Sequence, residues 1–61
     1  MKPVCKLIGE DGNVFNIIGK VAKTLRRAGL EKEYKEFTVK AESAQSYDEI
    51  LTLTKEYVEI E

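Results

Sequence analysis

The apolar side chains fall into helical stripes flanked by short alternating runs at each end of the chain. Between Asn13 and Ala28, Ile17, Ala28, Val21, Val14, Leu25, Ile18, Ala22 and Phe15 fill one arc of about 160°, and the opposite arc holds only polar residues and Gly19. That pattern predicts one unbroken amphipathic helix over 13–28. Asn13 or Asp11 can cap its start by accepting from backbone N–H groups that lack helical partners. Arg26 and Arg27 stand in its last turn, where the negative end of the helix dipole favours cations. Gly29 suits the left-handed position just past the end, and Leu30 is placed for the apolar contact that accompanies a Schellman ending.

Residues 31–44 carry two periods at once. Leu30, Tyr34, Phe37, Ala41 and Ala44 form a helical stripe, while Phe37, Val39 and Ala41 alternate as in a strand. The stripe covers more of the segment, and Glu31 and Glu33 suit a first helical turn, so the expectation is a helix with Val39 on its wet side. Ser46 followed by Glu49 has the spacing of a capping box, and Ile50, Leu51, Leu53, Thr54, Tyr57 and Val58 continue a third helix to about 55–57. Residues 2–8 read as a strand with Cys5 and Leu7 on one face and Val4, Lys6 and Ile8 on the other. The alternating tail from Tyr57 to Glu61 offers a second strand to pair with residues 4–8. The expected fold is therefore a small α+β domain, β-α-α-α-β, with paired terminal strands, spanning 1–61.

Sixty-one residues leave little room for a core. A chain of this length buries only about 60% of the surface its unfolded form exposes, and the core supplies roughly 3–5 kcal/mol. A single cysteine excludes an internal disulfide, and with no histidine one thiol cannot build a zinc site. Open strand edges and a thin core would both be relieved by self-association, so a homodimer is one expected state. No apolar run exceeds two residues, which excludes a membrane span, and the N-terminal run is too interrupted for a secretory signal. With a lone thiol, the expected compartment is the cytoplasm.

A net charge of −1 exerts no global pull on nucleic acid or an anionic membrane, but the charge is unevenly spread. Residues 1–29 hold six basic and two acidic side chains, net +4; residues 30–61 hold four basic and nine acidic, net −5. Either the halves neutralise each other within the domain or a basic surface meets an acidic partner. Lys20, Lys23, Arg26 and Arg27 all project from the polar side of the first helix and are the candidate anion or nucleic-acid contacts. No aromatic residue lies among them to stack on a base.

Reactive chemistry is harder to find. Gly9-Glu10-Asp11-Gly12-Asn13 precedes a helix start, yet it lacks the spacing of a dinucleotide, phosphate or calcium loop, and its two carboxylates repel an anion. The run from Ile17 to Leu25 resembles a KH core, but Ala22 replaces the second glycine and Val21 sits in the middle of the apolar arc. Cys5 reads as a small buried hydrophobe, since no base or cation on its own face would activate the thiol. Tyr34, Tyr47 and Tyr57 fall on apolar stripes and read as core-edge residues with wet hydroxyls. No carboxylate pair stands in an apolar setting suited to acid–base work. The expectation is a protein that is not an enzyme and uses no cofactor or metal.

The stretch from Lys6 to Phe15, then Ile18-Gly19, Leu25-Arg26 and Ala28-Gly29, resembles a family of small uncharacterised bacterial and phage-associated proteins. The shared pattern is K-L-x-G-E-D-G-N-x-F-x-I-x-G followed by A-L-R-x-A-G. Tyr47-Asp48, Leu51 and the end from Tyr57 to Glu61 are similar too. Thr24 replaces an alanine of the pattern, and Ser43-Ala44-Gln45-Ser46 replaces its usual Thr-Ser-Gly-Asp-like turn. The resemblance implies kinship and a helix over 31–44, and no biochemical activity. The function expected is a non-catalytic interaction module that binds an unidentified protein or a second copy of itself. The alternative is a nucleic-acid binder using the basic face of the first helix.

Overall fold

The computed structural model of the chain describes residues 2–7 and 13–61. Its elements run β1 (Val4–Cys5), α1 (Val14–Arg27), α2 (Glu31–Ser43), α3 (Tyr47–Tyr57) and β2 (Glu59–Ile60). The terminal strands pair, in parallel, with Val4 opposite Glu59 and Cys5 opposite Ile60. A parallel pair needs a long crossover between its strands, and here the three helices supply it. Bonds from the Glu59 N–H to the Pro3 carbonyl (2.9 Å) and from the Leu7 N–H to the Glu61 carbonyl (2.8 Å) continue the pairing beyond the two-residue strands. The first strand is shorter than the expected 2–8 because a ladder is only as long as its shorter member. Ile8 and the Gly9–Gly12 turn, including the second candidate cap Asp11, lie outside the described residues.

The end signals of α1 that fall on described residues are realised. The Asn13 side chain accepts from the Phe15 N–H at 2.9 Å. Gly29 adopts a φ of 76°, and the Gly29 and Leu30 N–H groups reach the Arg26 and Leu25 carbonyls at 3.0 and 2.9 Å. Those two bonds define a Schellman ending. The helix is continuous through Gly19, and Val21 is wholly buried. A KH-type loop would break the helix there and is not formed.

The buried line of α1 is Ile17, Val21 and Leu25, which shifts the core-facing direction away from Phe15. At 100° per residue, Phe15 lies about 120° from Val21, past the reach of the neighbouring helices. Phe15 is 83% exposed, a correction to its expected place on the apolar arc. Ala28 is exposed too, because the chain turns away at the cap.

In α2 the stripe governs: Phe37 and Ala41 are buried and Val39 faces solvent. The Phe37 ring meets Tyr57 edge-on, with centroids 5.8 Å apart and an interplanar angle of 73°. Ser46 caps α3 by accepting from the Glu49 N–H at 3.1 Å. The reciprocal bond differs from a capping box, because the Glu49 carboxylate accepts from the Gln45 N–H, one residue earlier, at 3.0 Å. Cys5, Ile50, Leu53 and Val58 complete the core. Thr54 is buried beside them, and its hydroxyl has no hydrogen-bond partner among the described residues.

Candidate functional site

Two surfaces flank the core-facing side of α1, and the helix period separates them. On the first flank, Phe15 and Ile18 of α1, Thr38 and Ala41 of α2, and Tyr47 and Ile50 of α3 line a groove of about 750 Å³. The groove exists because α1 begins where α2 ends and α3 starts. Three helix ends meet there, and the small Ala41 and Ala44 side chains do not fill the space between them. Tyr47, 42% exposed, borders it, and Glu42 is its only charged lining residue among those described. A concave, largely apolar surface with a few polar groups is what a docking site for an apolar side chain requires.

The second flank holds the cations. Lys20, Lys23, Arg26 and Arg27 are all exposed, as expected, and line two adjoining depressions that share Lys23 and Arg27. Lys23, Arg27 and Tyr34 share one depression, of about 450 Å³, with Arg26. The Arg26 guanidinium lies 5.4 Å from the centre of the Tyr34 ring and its Nε 4.0 Å from a Glu31 oxygen. Lys20, Lys23 and Arg27 lie together on the β1 side, where Lys6 joins them around a shallow depression of about 240 Å³ with Cys5 and Thr24. The Lys20 ammonium donates to the Lys6 carbonyl at 3.3 Å, which links the helix to the strand. The Arg26–Glu31 contact joins the end of α1 to the start of α2.

Lys6 is the residue that the linear pattern did not attach to this surface. Its exposed face of β1 was legible from the alternation, but its position beside Lys20 depends on where α1 crosses the sheet. Cys5 is buried with its thiol free. Tyr34 and Tyr57 are half-buried, as their stripes predict. Tyr57 donates its hydroxyl proton to Glu36 at 3.2 Å. A hydrogen bond with Tyr57, aided by Coulomb attraction, raises the Lys40 ammonium above its usual 10.5. No cluster of three or more metal-ligating side chains occurs among the described residues, and no helix is long and apolar enough to cross a membrane. Compared with protein-family models, curated proteins and solved structures, the chain matches none.

Proposed function

We propose that this chain is a non-catalytic interaction module whose partner is a second copy of itself, joined through the groove and the Phe15 ring. The observation that carries the reading is an aromatic ring left 83% exposed on the rim of a largely apolar groove. A two-fold interface uses one patch on both copies, so that patch must both project and receive. Here the ring and the groove adjoin, and Phe15 of each copy can enter the groove of the other.

Charge supports the same occupant. A strongly basic or acidic patch would repel its own copy, whereas among the described lining residues this one brings together only the two Glu42 carboxylates. Size supports it as well. A standard interface of about 800 Å² per partner would cover about a fifth of the 4319 Å² surface. The apolar area so covered would add to a core that is small for independent folding. The cytoplasm is the setting in which the lone Cys5 stays reduced.

Sedimentation equilibrium tests the reading. The weight-average mass should rise from 6.9 kDa towards twice that value as protein increases, over a range of about 5 to 500 μM that brackets weak and moderate dimers. Added salt should leave the association unchanged or tighten it, as for apolar burial. A monomer at the top concentration, or association that salt dissolves, overturns the proposal.

A further inference from the structure

We propose that the depression between α1 and Tyr34 of α2 binds single-stranded nucleic acid, with a base on the Arg26–Tyr34 pair and phosphates on Lys23 and Arg27. The inference is independent of self-association, because none of these residues lines the apolar groove. No aromatic side chain stands among the cations of α1 itself; α2 supplies one by packing Tyr34 beside them. The Arg26 guanidinium lies over the Tyr34 ring, 5.4 Å from its centre, and unpaired bases stack on aromatic rings and on guanidinium planes alike. Gly19 and Ala22 line the same depression, and even a methyl group at Gly19 would meet no heavy atom within 4 Å. That leaves room for a flat ring beside the pair. Arg26 is engaged with Tyr34 and Glu31, whereas Lys23 and Arg27 make no ion pair or hydrogen bond among the described residues. These two stand one turn apart, about 6 Å along the helix axis, and can hold two neighbouring phosphates.

Cations combined with a stacking surface distinguish a single strand from other anions. A duplex keeps its bases stacked on one another, so it would use the cations and leave the ring without a partner. An acidic peptide would do the same. A lipid surface needs an apolar side chain to enter it. The floor here carries only Gly19 and Ala22, and the exposed Val4 of β1 lies outside the lining of this depression. Stacking accepts any base, so binding should tolerate changes of sequence.

The test is fluorescence anisotropy of a labelled thymidine oligonucleotide of about 12 residues, titrated with the full chain at about 20 mM salt. The dissociation constant should be on the order of 10 μM at that salt. Two neutralised phosphates of a single strand give a log–log salt slope of about −1.4, so tripling the salt should weaken binding about fivefold. Lys23→Gln and Arg27→Gln should each weaken it about tenfold and halve that slope. Tyr34→Leu should weaken it at least about fivefold with the slope unchanged, and Tyr34→Phe, which keeps the ring, should bind as wild type. Lys55→Gln, on α3, should have no effect, and circular dichroism checks that each variant is folded. The single strand should be preferred at least about fivefold over its duplex with an adenosine strand, a comparison that needs no variant. Lack of binding up to about 1 mM protein, equal affinity for the duplex, or unchanged binding by folded Tyr34→Leu overturns the proposal. Displacement of the strand by polyglutamate at equal charge assigns the surface to acidic proteins and overturns it too. So does displacement by micromolar thymidine monophosphate, which assigns it to a free nucleotide, or tighter binding to vesicles of anionic phospholipid.

Discussion

Replacing Phe15 with alanine separates the proposed interface from the fold that displays it. The ring is 83% exposed and outside the buried line of α1, so the isolated domain loses little packing. Alanine is the better helix former by a few tenths of a kcal/mol, and surface changes of this kind stay within about 0.5 kcal/mol. Melting at low concentration should therefore be unchanged or slightly higher. The dimer behaves differently. Burying one phenylalanine side chain contributes about 1.5–3 kcal/mol, and a two-fold interface loses the ring twice. The expected cost is about 3–6 kcal/mol of association, a dissociation constant weakened by a factor of roughly 10² to 10⁴. Sedimentation equilibrium of wild type and variant over the same concentrations reads this directly. The melting temperature of wild type should rise with concentration and that of the variant should not. A variant that dimerises as well as wild type refutes the assignment of Phe15. A variant that unfolds refutes the claim that the ring is peripheral to the core.

Three further changes probe the fold. Thr54→Val replaces a buried, unpartnered hydroxyl by a methyl group of similar shape. It should stabilise the domain by about 1 kcal/mol, measured by chemical denaturation, because an unsatisfied buried group costs about 1–3 kcal/mol. Gly29→Ala meets no heavy atom within 4 Å, yet φ is +76°. The cost is conformational alone, about 1–2 kcal/mol, and Gly29→Asn should lose less because asparagine tolerates this region. Lys40 is raised in the folded chain above the 10.5 of a free side chain, through its hydrogen bond with Tyr57. The stability it contributes is present below that value and is lost as pH rises through the folded value. The difference in melting temperature between wild type and Lys40→Gln should therefore shrink above a pH of about 10.5 and stay constant across neutral pH.

The sequence specifies α1 redundantly, since its apolar period, Asn13 cap, basic last turn and Gly29 ending all agree. Residues 31–44 carried two periods, and Phe37 decided between them. Only the helix places its ring against Tyr57 while leaving Val39 in water. What one chain's periodicity cannot provide is where neighbouring elements stop. Phe15 belongs to the apolar arc in projection, yet it lies beyond the helices that cover Ile17 and Val21. Arg26 and Arg27 are adjacent in sequence and line one depression, but only Arg27 also lines the one beside β1. Lys6 joins the cations because β1 passes beside α1, a fact of tertiary placement. The direction of the strand pairing had no local signal either.

These points concern one 14-residue helix that has three sides. Its buried line fixes the core. The groove flank presents Phe15 with little charge, and the strand flank presents Lys20, Lys23 and Arg27 with little apolar surface. A helix with an apolar residue among those cations would favour neither neighbour clearly. Segregation by angle keeps the two surfaces chemically distinct, so the proposed pairing of two copies would use one flank and leave the other outside the interface. Two-fold pairing through the groove would also double the number of cationic depressions without placing one inside the interface. The domain can therefore be small because its most regular element serves core, groove and charged surface at once, with the helical period keeping them apart.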